Sequence, residues 1–227
     1  MKIGFVLSAV AIACASFAES SYAGTCSIPD ATLNQFQGYL TTVINLPDKN
    51  GGLFKPNRMW AAIVDRQGRL CTVINSGNDP WPGSRVIAIA KASTANAFSS
   101  SAISLSTAIL YAPTQPGGFL YGLNNSLPFN PVFNAPGSGL GFVPGGVITF
   151  GGGLALYSGG QVIGALGVSG DTACADHAIA YRMRKLAALD TTPGGIGSDN
   201  IQYAPVGSTP KGFEHPYCLG PATDIKP

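Results

Sequence analysis

Apolar residues recur along this chain with two different periods, and the switches between them lay out its elements. Over residues 30–46 the period is helical, with Leu33, Phe36, Leu40 and Val43 three and four apart and Pro29 suited to the first turn. Residues 59–64 and 69–74 are β-rich runs around Asp65-Arg66-Gln67-Gly68, which predicts a hairpin. Ser84 is positioned to cap a helix to about Phe98 that turns Val86, Ile89, Ala90 and Ala97 inward. A short helix over 105–111 is expected to end at Pro113 and Pro116. Residues 115–146, crowded with glycine and proline, form a long loop of the kind that usually carries function or an interface.

The stretch from Gly145 to Asp176 then switches to strand character. Val147, Ile148 and Phe150 predict a strand broken at Gly151-Gly152-Gly153, where a side chain would obstruct a bend or a close backbone approach. Residues 154–157 resume it, Ser158-Gly159-Gly160 turns it, and residues 161–168 return as a strand apolar enough to be buried on both faces. Asp171 or Thr172 caps a last helix to about Ala188, with Ile179, Met183 and Leu186 on one stripe. Residues 190–227 are irregular. This order predicts an α+β layered fold on an antiparallel sheet.

Composition refines the setting. Lys2 followed by an apolar run to Ala13 and the small-x-small site Ser21-Tyr22-Ala23 reads as a signal peptide over 1–23, with Cys14 as acylated lipoprotein cysteine the alternative. The division is then a leader, a domain over 24–189 and an extension over 190–227, in a chain exported to the periplasm or beyond. Only 11% of the 227 residues are charged and no basic run exists, which excludes electrostatic nucleic-acid binding. Cleavage leaves Cys26, Cys71, Cys174 and Cys218, and an oxidising compartment makes disulfides the expected state. Three pairings are open. Cys26 with Cys71 and Cys174 with Cys218 is favoured because each ties a terminus to the core, and the extension is then held to the domain by a disulfide.

The chemistry-bearing residues are few. Gly167-Val168-Ser169-Gly170-Asp171 departs from the nucleophile elbow at its last position, so Ser169 reads as part of a capping turn and no catalytic residue is assigned. The glycine triplet precedes a strand and lacks a following Lys-Ser/Thr, so it is not a phosphate loop. A Cys174–Cys218 link would gather His177, His215, Asp176 and Glu214 into one neighbourhood, either as hydrogen-bonding groups around a disulfide or as ligands to a metal or haem iron. Lys91 sits within a small and apolar stretch, where an ammonium either snorkels to solvent, the favoured reading, or meets an anionic group.

Five segments, AAIVDRQGRLCTV, AKASTANAF, QPGGFLYGL, FGGGLALYSGGQVIGALGVSGD and ADHAIA, resemble the GlcG/HbpS-like family of haem-binding proteins. The resemblance covers about residues 33–189, and the added cysteine segments mark an exported branch. It implies a profilin-like antiparallel sheet of about five strands with helices on its faces, assembly into homo-oligomers, and haem as cofactor in sequestration, delivery or sensing. A membrane sensor or receptor is the partner it implies. The expected site lies between the AKASTANAF helix and the QPGG loop. Arg85 and Lys91 would contact propionates, Tyr111 and Phe119 would pack the ring, and His177 or His215 would ligate iron. A non-catalytic oligomeric interaction protein is the alternative, and an enzyme acting on haem or a small oxygenated metabolite ranks after it.

Overall fold

The structure, a computed structural model, describes residues 24–53, 58–77 and 81–227; the expected leader with Cys14, and part of the loop before Trp81, lie outside them. Four antiparallel strands, β1 (Trp60–Asp65), β2 (Leu70–Asn75), β3 (Gly153–Ser158) and β4 (Gln161–Ser169), form one sheet in the order β2-β1-β4-β3. Alternation along β1 divides the core. Ala61 and Ile63 join Leu154, Leu156, Leu166 and Val168 beneath α1 (Asp30–Ile44) and α4 (Ala173–Leu186). Trp60, Ala62 and Val64 face α2 (Pro82–Phe98) through Ala88, Ile89, Ala92 and Ala95. Helices therefore cover both faces, which is why β1 is buried along its whole length.

The alanines of α2 let its backbone approach β4 closely. A Cβ at Gly167 would overlap the Ala88 carbonyl oxygen, so glycine there is a packing requirement. At the β3–β4 turn both Gly159 (φ 57°) and Gly160 (φ 77°) take the left-handed conformation that a tight two-residue hairpin needs.

Several elements differ from the sequence expectation. The sheet has four strands instead of about five, because residues 147–150 do not pair as a strand; Ile148 N–H donates to Thr94 Oγ1 of α2 at 3.0 Å. The expected helix over 105–111 forms later and shorter, as α3 (Tyr111–Thr114). Thr107 instead exchanges two bonds with Gly153, its N–H donating to the Gly153 carbonyl at 3.0 Å and its Oγ1 accepting from the Gly153 N–H at 2.8 Å. Pro82 starts α2 two residues ahead of Ser84, and Ala97 is exposed. Thr172, whose Oγ1 accepts from Ala175 N–H at 3.2 Å, caps α4, and Leu186 faces outward at 48% exposure.

The long loop lies along the sheet edge. Leu70 of β2 exchanges backbone hydrogen bonds with Gly141 and Phe142, at 2.8 and 2.9 Å, so loop residues cover an otherwise open strand. Cys26 bonds to Cys71 and Cys174 to Cys218, with Cα atoms 5.3 and 6.0 Å apart, the favoured pairing of the three. No helix of the described residues is long and apolar enough to cross a membrane.

Candidate functional site

A polar centre lies where the glycine triplet passes between α2 and α4. A Cβ at Gly151 would overlap the Ala173 carbonyl of α4, and one at Gly153 would stand 2.5 Å from the Lys91 carbonyl of α2. With both helices this close, Lys91 and Asp176 meet across the end of the sheet. Lys91 Nζ is 2.7 Å from Asp176 Oδ2, donates to the Val168 carbonyl at 3.0 Å, and lies over the Phe150 ring at 4.9 Å. Lys91 therefore does not snorkel; the ion pair makes its complete burial tolerable. Burial lifts the Asp176 carboxyl to about 6, against the pull of Lys91, and lowers the ammonium against the pull of Asp176.

The segment after α4 closes this centre from the other side. Ile201 N–H donates to His177 Nε2 at 3.1 Å, and Asn200 Oδ1 lies 3.2 Å from the same nitrogen, while His177 Nδ1 has no partner. Burial pushes the His177 imidazole down to about 3, so it is neutral over the physiological range. Arg184 forms a bidentate pair with Asp199, at 2.6 and 2.7 Å, and Ser104 Oγ donates to the same carboxylate at 2.7 Å. His215 donates from Nδ1 to the Pro216 carbonyl at 2.7 Å, receives a 3.4 Å bond from Gly151 N–H at Nε2, and packs on the Tyr111 ring at 4.8 Å. Burial lowers it to about 4. The chain thus brings Lys91, Asp176, His177 and His215 into one buried region.

Arg85 and Phe119 stand apart from that region. Arg85 is buried and donates to the carbonyls of Phe133 and Ser138, so its guanidinium fastens the long loop and is spent. Phe119 is 73% exposed and meets Phe213 edge-on at 6.4 Å. It lines a cavity of about 460 Å³ between the loop at Pro113–Phe119 and Thr209–Gly212 of the tail, with Gln115, Thr209 and Lys211 as its polar side chains. A second, apolar groove of about 390 Å³ runs between α2, at Val86, Ile87 and Ala90, and the loop at Leu127, Phe129 and Val147. Neither histidine lines either space. Sequence reasoning missed Arg184 and Asp199: their charges lie 15 residues apart across an irregular segment, and no periodicity signals such a pair.

The family model described as haem degrading protein HbpS-like matches residues 55–184, more than half of the chain. This chain belongs to the HbpS-like family. The match spans β1 through most of α4, so the ion pair and His177 lie on family elements, while His215 and Cys218 lie beyond them. Among solved structures, a PduOC complex with heme is 26% identical, with a TM-score of 0.51 over 70% of this chain and 93% of that one. The Klebsiella pneumoniae protein ORFY is 25% identical, with a TM-score of 0.52 over 75% and 95%. No curated protein matches.

For haem, the donor chemistry of the site fits and its access does not. His177 is a neutral imidazole, the form that ligates iron, but its lone pair is on Nε2, which accepts from Ile201 N–H, and its unpartnered Nδ1 carries the proton. Both histidines are nevertheless fully enclosed, and Lys91 is neutralised by Asp176.

Proposed function

We propose that this chain is an exported protein that binds haem, or a related planar small ligand, for sequestration, delivery or sensing. The observation that carries the reading is the similarity to a haem complex over 93% of that chain's length, within a family described as haem degrading. Two disulfides suit an oxidising compartment.

The ligand enters at the cavity between the QPGG loop and the tail, which Phe119, a predicted contact residue, lines. Phe119, braced by Phe213, offers an aromatic surface there, the Lys211 side chain can meet a propionate, and Tyr111, next to the lining residue Ala112, packs on His215. His177 and His215 are the candidate iron ligands, and each must exchange a present partner to serve. Arg85 and Lys91 hold the walls instead of the propionates. A homo-oligomer that docks on a membrane sensor or receptor belongs to the same reading. The oligomeric interaction protein is kept as a second reading because Tyr121, Val132 and Val143 of the long loop are all more than half exposed.

Haem titration of the mature chain, followed in the Soret region, tests the proposal. Saturable binding of one haem per chain is expected, weakened by Phe119→Ala and spectrally altered by either His177→Ala or His215→Ala. Absence of a saturable Soret shift at micromolar protein ends it, and unchanged spectra in both histidine variants clear the histidines.

A further inference from the structure

Cys174, Cys218 and His215 form a cluster of which the haem reading uses only His215. One ligand atom from each lies within 4.8 Å of the other two; Cys174 and His215 are buried and Cys218 is half-buried. His215 is held as a metal-ligating imidazole is held: Nδ1 donates its proton to the Pro216 carbonyl at 2.7 Å, which leaves the Nε2 lone pair with only the long 3.4 Å contact from Gly151 N–H. Cys218 Sγ accepts from the Cys174 N–H at 3.1 Å, in the first turn of α4, an environment that favours thiolate.

We propose that reduction of the Cys174–Cys218 disulfide by a dithiol converts this cluster into a Cys2His site for a thiophilic closed-shell cation such as Zn²⁺. The disulfide takes up two electrons and two protons from the dithiol, which leaves as its own disulfide. Metal binding then displaces the two thiol protons. Tetrahedral coordination at about 2.3 Å places two thiolate sulfurs about 3.7 Å apart, so the sulfurs separate by less than 2 Å from their bonded distance of about 2 Å. The fourth position is left for water.

The scaffold does not depend on the disulfide alone. Asp224 Oδ2 accepts from the N–H groups of Cys218, Leu219 and Gly220, at 2.6, 2.9 and 3.2 Å. His215 exchanges backbone bonds with Gln202 and Ala204, at 2.7 and 3.0 Å, and Tyr217 stacks on Tyr203 at 4.4 Å. These contacts hold the tail against the domain when the sulfurs part. The other disulfide has a neighbouring carboxylate, Asp65, at comparable distances but lacks this readiness. Asp65 already accepts from the N–H groups of Ser27 and Arg69, at 3.1 and 3.0 Å, and faces the Arg69 guanidinium at 3.7 Å.

The test is a Co²⁺ titration of the mature chain, oxidised and phosphine-reduced, with the thiolate-to-cobalt charge-transfer band as readout and near-ultraviolet circular dichroism as the record of folding. The expected result is one Co²⁺ per reduced chain, displaced by Zn²⁺, with no band in the oxidised chain. His215→Ala should weaken binding at least about 10-fold, and Cys26→Ser/Cys71→Ser should retain the band. No band on reduction overturns the proposal, as does a band that survives in Cys174→Ser/Cys218→Ser. If the reduced chain unfolds and Zn²⁺ does not restore its dichroism, the proposal also fails, because binding energy at such a site is folding energy. His215 is shared with the haem reading, but the cobalt titration contains no haem and the Cys174→Ser/Cys218→Ser arm leaves both histidines in place, so either proposal can fail alone.

Discussion

Acid stability of this chain should be set by two buried histidines that titrate against one buried carboxylate, and the structure gives both the sign and the size. Desolvation depresses His177 from 6.5 to about 3 and His215 from 6.5 to about 4. A depressed group contributes stability that is present above its unfolded value and is lost as pH falls toward the folded value. Between pH 6.5 and pH 4 each histidine therefore removes about 3 kcal/mol, at about 1.4 kcal/mol per pH unit. Asp176 acts in the opposite direction. Its carboxyl is raised from 3.8 to about 6 by burial, so its ionisation costs stability above pH 6, and protonation returns about 3 kcal/mol by pH 4. Burial pushes the Asp199 carboxyl up, and Arg184 and Ser104 together pull it down further, to below its ordinary value.

The balance is a net loss of about 3 kcal/mol for the parent chain over that interval. His177→Gln removes one histidine while keeping an acceptor for the Ile201 N–H, so its stability should be nearly level from pH 6.5 to pH 4. Urea unfolding of the oxidised chain at half-unit pH steps, followed by far-ultraviolet circular dichroism, measures both curves, and the slopes are compared so that any constant cost of the substitution drops out. Parallel curves for parent and variant would refute the reasoning, because they would mean that His177 titrates as it does in the unfolded chain.

Other substitutions test the packing directly. Lys91→Met should destabilise the chain by about 3–5 kcal/mol near neutral pH by leaving Asp176 buried and unpaired, and Lys91→Met/Asp176→Leu should cost less than the sum of the singles in the same urea assay. Gly167→Ala should cost about 3 kcal/mol, the upper end for overpacking, because the new methyl meets the Ala88 backbone and not a movable side chain; a thermal melt reads it. Arg85→Ala should leave the disulfides and far-ultraviolet dichroism intact while making the loop around Phe133 and Ser138 the first site cut in limited proteolysis.

The sheet and its helices were legible in the sequence because periodicity and glycine placement are local signals. The Ser158-Gly159-Gly160 turn, the two hairpins and the stripe Leu33, Phe36, Leu40 and Val43 all stand as read. Residues 147–150 misled because β-branched composition does not say whether a strand neighbour exists; here the neighbour is the hydroxyl of Thr94. The site was legible only as a neighbourhood. Pairing Cys174 with Cys218 ties His215 to the start of the helix that carries Asp176 and His177, as the sequence suggested, and the structure adds Tyr111 and the glycine triplet to its surroundings. What no pattern revealed was that Lys91 and Arg85 would find anions and carbonyls inside the protein, because those partners lie 85 and 48 residues away and no local rule connects them.

The tail after α4 is part of the polar centre. The family match ends at residue 184, and Arg184 is a fully buried cation whose carboxylate partner, Asp199, belongs to the tail. A chain cut after α4 would leave that guanidinium with the Ala155 carbonyl as its remaining acceptor, and His177 without Asn200 and Ile201. An unpaired buried charge costs several kcal/mol, a large fraction of the stability of a typical domain. The Cys174–Cys218 link therefore closes an interface that the buried Arg184–Asp199 pair also spans. Any ligand that reaches His177 Nε2 must first displace Asn200 and Ile201 from it.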